Sequence, residues 1–350
     1  MSTERELAEL DYPLPPDRIA QQPAAERDAA RLLVLDRADG GLRHARVGDL
    51  AEWLRPGDLL VRNATRVVPA RLRGRKETGG AADALLLGPA PAPAAPGSLR
   101  ALVRCRGRLR VGQKLRFVRG EETLDAEIAG LGADGEATLR FGDGPSPYAF
   151  GETPLPPYIR RDAARDEDVA RYQTHYARVP GSVAAPTAGL HFTPALDATL
   201  AARRIGIADL VLHVGPGTFR PLRPDDLDRG RLHAESYELS EATAAAVART
   251  RATGGRVVAV GTTTTRVLEH CAEAGGEALR AGRGETELLL RPGVPFRVVD
   301  GLLTNFHLPR SSLLLLVAAF AGRERILAAY REAVERGYRF YSYGDAMLIL

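Results

Sequence analysis

Four stretches of this chain put histidine, threonine, asparagine and arginine where regular structure must break, and those side chains move protons and hold anions. In APTAGLHFTP, Ala185 to Pro194, Thr187 and His191 flank Gly189. In LVLHVGPGTFRP an apolar strand runs into Gly-Pro-Gly, so His213 falls near a strand end, and Gly215 and Gly217 let a ligand approach the backbone closely. Thr218 and Arg220 follow at once, and the planar fork of Arg220 suits a carboxylate or phosphate. VVAVGTTTTRVLEH reads as strand, glycine, then helix, which turns Thr262, Thr263 and Thr264 toward an anion site at a helix start; a plain helix cap accounts for the same threonines. In LLTNFHLPRSSLLLLV, Asn305 and His307 interrupt an apolar run, and such a pair, once buried, must be hydrogen-bonded. HAES adds a carboxylate, Glu235, close to His233, in a setting that ordinarily makes a surface salt link.

Two familiar chemistries fit poorly. The histidines 191, 213, 233 and 307 could converge on a metal, but none shows helical His-x-x-x-His spacing, there is no HExxH, and Cys105 and Cys271 stand in no ligand spacing, so no metal is expected. A serine hydrolase would need a GxSxG elbow after a strand, which is absent. The cysteines read as ordinary buried thiols of a reducing compartment.

The elements that must hold these loops alternate. RLLVLDR and GDLLVRN are strand signals near the start; a polar helix is expected around Ala163 to Tyr176, and a helix over Pro194 to Arg204 leads into IGIADLVLHV. Then come a helix over Glu241 to Thr253, the strand RVVAVG, a helix from Thr265 to Glu273, and an amphipathic helix over Arg323 to Arg336 with Ile326, Leu327, Tyr330 and Val334 on one face. That rhythm predicts a layered α/β domain. Between Val67 and Phe150 the texture changes to short alternating runs separated by glycines, which predicts a small antiparallel β-barrel. PAPAAPGS within it reads as a surface loop. The expected organisation is a discontinuous α/β domain of residues 1–65 and 153–350 with a β-rich insert of residues 66–152. LLLLVAAFAG is about half the roughly 20 residues a membrane span needs and reads as core; with no signal-peptide pattern at the start, a cytoplasmic, membrane-free monomer is expected.

The formal net charge is only +4, so distribution matters more than total. The insert is the basic part: Arg62 to Lys76 and Ala101 to Gly120 hold six and seven arginines or lysines, with no acid. Such density suits a polyanion such as tRNA, with Arg66, Arg71, Arg104, Arg108 and Arg110 as the candidate contacts; a solvated Arg-rich surface would look the same.

Taken in order, GDLLVRNATRVVPARLRGRK, PLPPYIRR, YQTHYARVPGSVAAPTAGLHFT, LHVGPGTFRPL, HAESYEL, VVAVGTTTTRVLE, VVDGLLTNFHLPRSSLLLLVAAFAG and YRFYSYGDAMLIL resemble the S-adenosylmethionine:tRNA ribosyltransferase-isomerase family over nearly the whole chain. The resemblance implies a donor, S-adenosylmethionine, that gives up its ribose to the aminomethyl group of a 7-deazaguanine in the tRNA anticodon, releasing adenine and methionine and forming epoxyqueuosine. That chemistry needs a base for the C5′ proton, for which His191 or His213 is the candidate. Arg220 and Thr262 to Thr264 would hold the donor's carboxylate or ribose hydroxyls, and Asn305 and His307 would line the purine or deazaguanine pocket. The competing readings are a non-catalytic RNA-binding protein and a methyltransferase, the latter without a GxGxG loop after its first strand.

Overall fold

Runs such as LLVL, Leu32 to Leu35, and VVAV, Val257 to Val260, are apolar and buried at every position, the pattern of strands covered on both faces rather than one. The computed structural model describes residues 3–87, 97–142, 144–161, 165–219, 222–275 and 279–350. Its strands are β1 Arg31–Leu35, β2 Leu42–Arg46, β3 Leu59–Asn63, β4 Thr65–Val67, β5 Arg71–Lys76, β6 Ala81–Leu86, β7 Ser98–Cys105, β8 Lys114–Arg119, β9 Glu122–Leu131 and β10 Glu136–Phe141. They continue with β11 Val179–Ser182, β12 Gly206–Leu212, β13 Arg231–Leu239, β14 Val257–Val260, β15 Gly282–Leu288, β16 Gly301–Asn305 and β17 Ala346–Ile349. Nine of them form one mixed sheet in the order β15-β13-β12-β3-β14-β16-β17-β1-β2, while β5 to β10 close into an antiparallel barrel. The mixed α/β class with a small barrel, expected from the sequence, is the fold observed.

Period-two alternation divides the sheet's side chains between two cores. Leu33, Leu35, Val61, Leu212, Ala259 and Leu302 point to one face, under the helices Thr262–Gly275, Ser312–Ala321 and Arg323–Glu335. Leu32, Val34, Leu60, Val258, Val260 and Leu303 point to the other, against Leu196 and Leu200 of the helix Pro194–Ala202 and against Ala188 and Phe192. The apolar run from Leu313 lies in the helix Ser312–Ala321, most of whose residues are buried, and no helix among the described residues is long and apolar enough to cross a membrane.

Several local expectations change. The polar helix is only Asp166–Arg171, with residues 162–164 outside the described ones; Tyr172 and Thr174 are buried two residues apart, a spacing a continuing helix would not give. The helix expected from Thr265 begins at Thr262, directly after Gly261 at φ +93°. Cys271 is buried, but Cys105 is only half-buried. Of the proline-rich insert, residues 91–96 lie outside the described residues, and Ser98 already opens β7.

Candidate active site

Strands β12, β3, β14 and β16 are neighbours and mutually parallel, so their C-terminal ends lie along one edge of the sheet. In open α/β sheets that edge is where ligands bind. The APTAGLHFTP, HVGPG, GTTTT and TNFH stretches all leave or meet the sheet there. Asn63, fully buried at the end of β3, ties the edge together: its Nδ2 donates to Leu212 O (2.9 Å) and Thr263 Oγ1 (3.3 Å), and its Oδ1 accepts from the N–H groups of Leu212 (3.0 Å) and Thr65 (3.1 Å). All its hydrogen-bonding capacity goes to holding three strand ends and a helix start in register.

At the β16 end, residues Thr187–His191 form a single tight helical turn packed on the sheet face. Gly189 leaves no room for a side chain as the turn stands, because a Cβ would be 2.0 Å from the Tyr176 hydroxyl. Tyr176 is held in turn by Arg62, whose guanidinium lies 3.8 Å from the ring centroid and pairs with Asp197 (2.8 Å) and Asp209 (2.9 Å). His191 is 5% exposed, and Asn305 Nδ2 donates to its Nε2 at 3.3 Å. The amide's orientation is set by its second bond, Nδ2 to Tyr341 O at 3.1 Å, so the His191 Nε2 facing it carries no proton. Burial drives the same way, lowering the His191 pKa to about 4 against the opposing pull of Asp345 and a hydrogen bond to the Arg27 backbone. The ring is neutral at pH 7. Asn305 Oδ1 is buried without a partner, as are the hydroxyls of Tyr341, Tyr176 and Thr174. Tyr341 has φ +71°, an uncommon backbone for a bulky residue.

At the β12 end, His213 is half-buried, with Nδ1 at 2.8 Å from Thr65 Oγ1 and its pKa lowered by burial against the charge of Glu238. Gly181 lies against the ring: a Cβ there would be 2.7 Å from Cε1. Gly215 N–H donates to Glu235 Oε1 at 2.8 Å, and Glu235 forms a buried ion pair with Arg266 rather than a surface salt link. Gly217 packs against His233. The side chain of Thr218 and the whole of Arg220 lie outside the described residues. In the helix that begins at Thr262, the hydroxyls of Thr264 and Thr265 turn back to the carbonyls of Val260 (2.9 Å) and Gly261 (3.2 Å); Thr263 meets Asn63, and Thr262 is buried at the turn. His307 is a structural anchor: its Nε2 meets Thr304 Oγ1 at 2.7 Å, its N–H donates to Tyr330 Oη, its carbonyl accepts from Tyr12 Oη, and burial lowers its pKa to about 3.

Residues that sequence reasoning did not single out complete the edge. Asn63 and Thr65 ended a strand with nothing but their type to mark them. Tyr341, Ser342 and Asp345 lie beside Asn305 only because β17 pairs antiparallel with β16, setting Asn305 opposite Ala346. Among the described residues, no group of three or more histidines, cysteines or acids stands close enough to hold a metal.

On the barrel, cross-strand pairing neutralises many of the arginines. Arg71 pairs with Asp83 (2.5 Å), Arg116 with Asp125 (2.7 Å) and Arg140 with Glu127 (2.9 Å), while Arg66 donates to Ala177 O (2.7 Å). Arg104, Arg108 and Arg110, on β7 and the loop after it, are exposed and form no ion pair among the described residues; Asp83, opposite Arg104 on β6, is taken by Arg71.

Comparison with known proteins agrees with this architecture. A family model described as queuosine biosynthesis protein matches residues 7–349. The S-adenosylmethionine:tRNA ribosyltransferase-isomerase of Anaeromyxobacter sp. (strain K) is 52% identical, the match covering 98% of this chain and 99% of the relative; that of Moorella thermoacetica is 51% identical over the same shares. The crystal structure of an S-adenosylmethionine tRNA ribosyltransferase from Thermotoga maritima is 37% identical, covers 98% of this chain and 100% of its own, and superposes with a TM-score of 0.56. The chain belongs to the queuosine biosynthesis protein family.

Proposed function

We propose that this chain is a transferase that moves the ribosyl group of S-adenosylmethionine onto 7-aminomethyl-7-deazaguanine in tRNA and isomerises it, forming epoxyqueuosine and releasing adenine and methionine. The observation that carries this reading is end-to-end identity of about half to relatives of that name. The edge fits such a donor: unpaired buried hydroxyls and the Asn305 carbonyl offer hydrogen bonds to a polar ligand. When bound, the sulfonium acidifies the neighbouring C5′–H.

The protein's part is to receive that proton and hold the reacting groups. His191, neutral with Nε2 unprotonated, is the proposed base; Asn305 holds its ring in that tautomer at rest, and its N–H must leave the Nε2 lone pair as the C5′ proton arrives. Four adjacent strand ends at about 4.8 Å per step put roughly 14 Å between the ends of β12 and β16. His213 is therefore assigned to a different part of the substrate. The Thr262–Thr264 turn, Arg220, Gly215 and Thr187 are proposed to line the donor, with Glu235 bracing the Gly215 loop. Residues 66–152 are proposed as the RNA-binding insert, with Arg104, Arg108 and Arg110 facing the anticodon arm. The proposed chemistry calls on no metal, and a cytoplasmic monomer suffices for it.

The test is product analysis with S-adenosylmethionine and tRNA carrying the aminomethyl deazaguanine. Adenine and methionine are the expected products; S-adenosylhomocysteine would make the chain a methyltransferase, and binding of tRNA without donor turnover would make it a pure RNA binder.

A further inference from the structure

A second group of cations stands beside His191. A notch of about 20 Å³ opens there between Arg27, Arg171, His191, Ser342 and Tyr343. Arg27 donates to the carbonyls of Leu190 (2.9 Å) and Ala170 (2.9 Å); Arg171 donates to those of Ala25 (3.1 Å) and Ala24. Neither faces a carboxylate among the described residues. The neighbouring acids are already committed: Asp168 to Arg161 (2.7 Å) and Tyr343 Oη (3.1 Å), Asp345 to the N–H groups of Arg31 (3.0 Å) and Arg339 (2.8 Å). The two guanidiniums repel one another, and Arg171 Nε is a buried donor without an acceptor. Two uncompensated cations and an orphaned N–H around an opening form a site for an anionic oxygen, since charge-assisted bonds to guanidinium satisfy both at once.

The notch has room for about one oxygen atom, so one oxygen of a carboxylate enters it while the other stays at its mouth. His191 forms part of its wall, so a group seated there lies a short flexible chain away from a proton that His191 would take. Resting on the function proposed above, we infer that Arg27 and Arg171 bind the carboxylate of the donor's methionine moiety. This deepens that reading by giving the donor an orientation: carboxylate in the notch, C5′ at His191, and the purine toward the strand ends.

The measurement is adenine release by the full chain with deazaguanine-bearing tRNA and either S-adenosylmethionine or its decarboxylated analogue. Wild-type kcat/KM should favour the carboxylate donor by at least about tenfold, carried mainly by KM. In Arg171→Gln that preference should collapse to within about twofold. Arg171→Lys, which keeps the charge but loses the planar fork, should retain part of it and covers the case in which the glutamine variant does not fold. A guanidinium that merely clamps residues 24 and 25 would lower turnover of both donors equally and leave the ratio unmoved, which overturns the inference. It also falls if wild type shows no preference, or if Arg171→Gln weakens tRNA binding while the ratio persists, which would assign the notch to an RNA phosphate. Failure of wild type to release adenine from either donor refutes the proposed function itself.

Discussion

The two ends of the parallel-strand edge carry one histidine each, and their surroundings differ. His191 is sealed under a turn packed tightly at Gly189 against the Tyr176 hydroxyl, with its tautomer dictated by an amide whose own orientation is set by a backbone carbonyl. His213 is half-buried, bonded to one threonine hydroxyl and covered by Gly181. The first arrangement fixes a protonation state at a cost in stability, which suits a group that must be an unprotonated acceptor whenever substrate arrives. The second leaves the ring free to exchange partners, as a residue touching a substrate's periphery can.

The sharpest way to break this contrast is at the two histidines. His191→Ala should lower adenine release by at least about a hundredfold, the scale of a lost general base, and His213→Ala by about tenfold; the reverse order would exchange their roles. Next comes the support beneath His191. Gly189→Ala should cost about 1–3 kcal/mol by overpacking against Tyr176 Oη, read as a fall in thermal midpoint, and Tyr176→Phe in the same chain should restore part of it; no restoration would mean that the hydroxyl is not the obstruction.

Acid stability sharpens the comparison further. The folded His191 pKa of about 4 lies below its ordinary 6.5, so the unfolded chain binds the proton first as pH falls. Stability is full above pH ~6.5 and declines between about 6.5 and 4, by on the order of 3 kcal/mol from this group. His307 adds a similar decline that runs on to about pH 3. Denaturant unfolding of His191→Asn at pH 7 and 4.5 should show roughly half the wild-type loss, and an undiminished loss would contradict the buried neutral ring. The smallest effect belongs to the barrel. Charge reversal at Arg104, Arg108 and Arg110 should weaken tRNA binding and flatten its logarithmic salt dependence by roughly 2–3 in slope, whereas reversal of Arg71, already paired with Asp83, should change the slope by less than 1.

The elements themselves were largely legible. Strands such as RLLVL, GDLLVRN and RVVAVG and the helices over Pro194–Ala202 and Arg323–Glu335 follow from apolar periodicity and punctuation, because both faces of the sheet are covered and local pattern agrees with burial. The polar composition of Ala163 to Tyr176 extends the expected helix past the Asp166–Arg171 that forms, because it hides the pull of Tyr172 into the core. Glu235 looked like a surface acid, since nothing in HAES announces Arg266 arriving from a helix 31 residues later.

By itself the sequence determined the two architectures, the polar loops that interrupt them, and the motif order shared with the family. Tertiary structure alone decided which of those polar groups meet. Parallel pairing of β12, β3, β14 and β16 brings the loop ends to one edge, and the antiparallel return of β17 lays Tyr341 and Asp345 beside Asn305. Protonation state, orphaned hydrogen-bonding groups and unpaired arginines are properties of enclosure and distance. Distant segments of the chain create them when they pack, so no spacing along one segment encodes them.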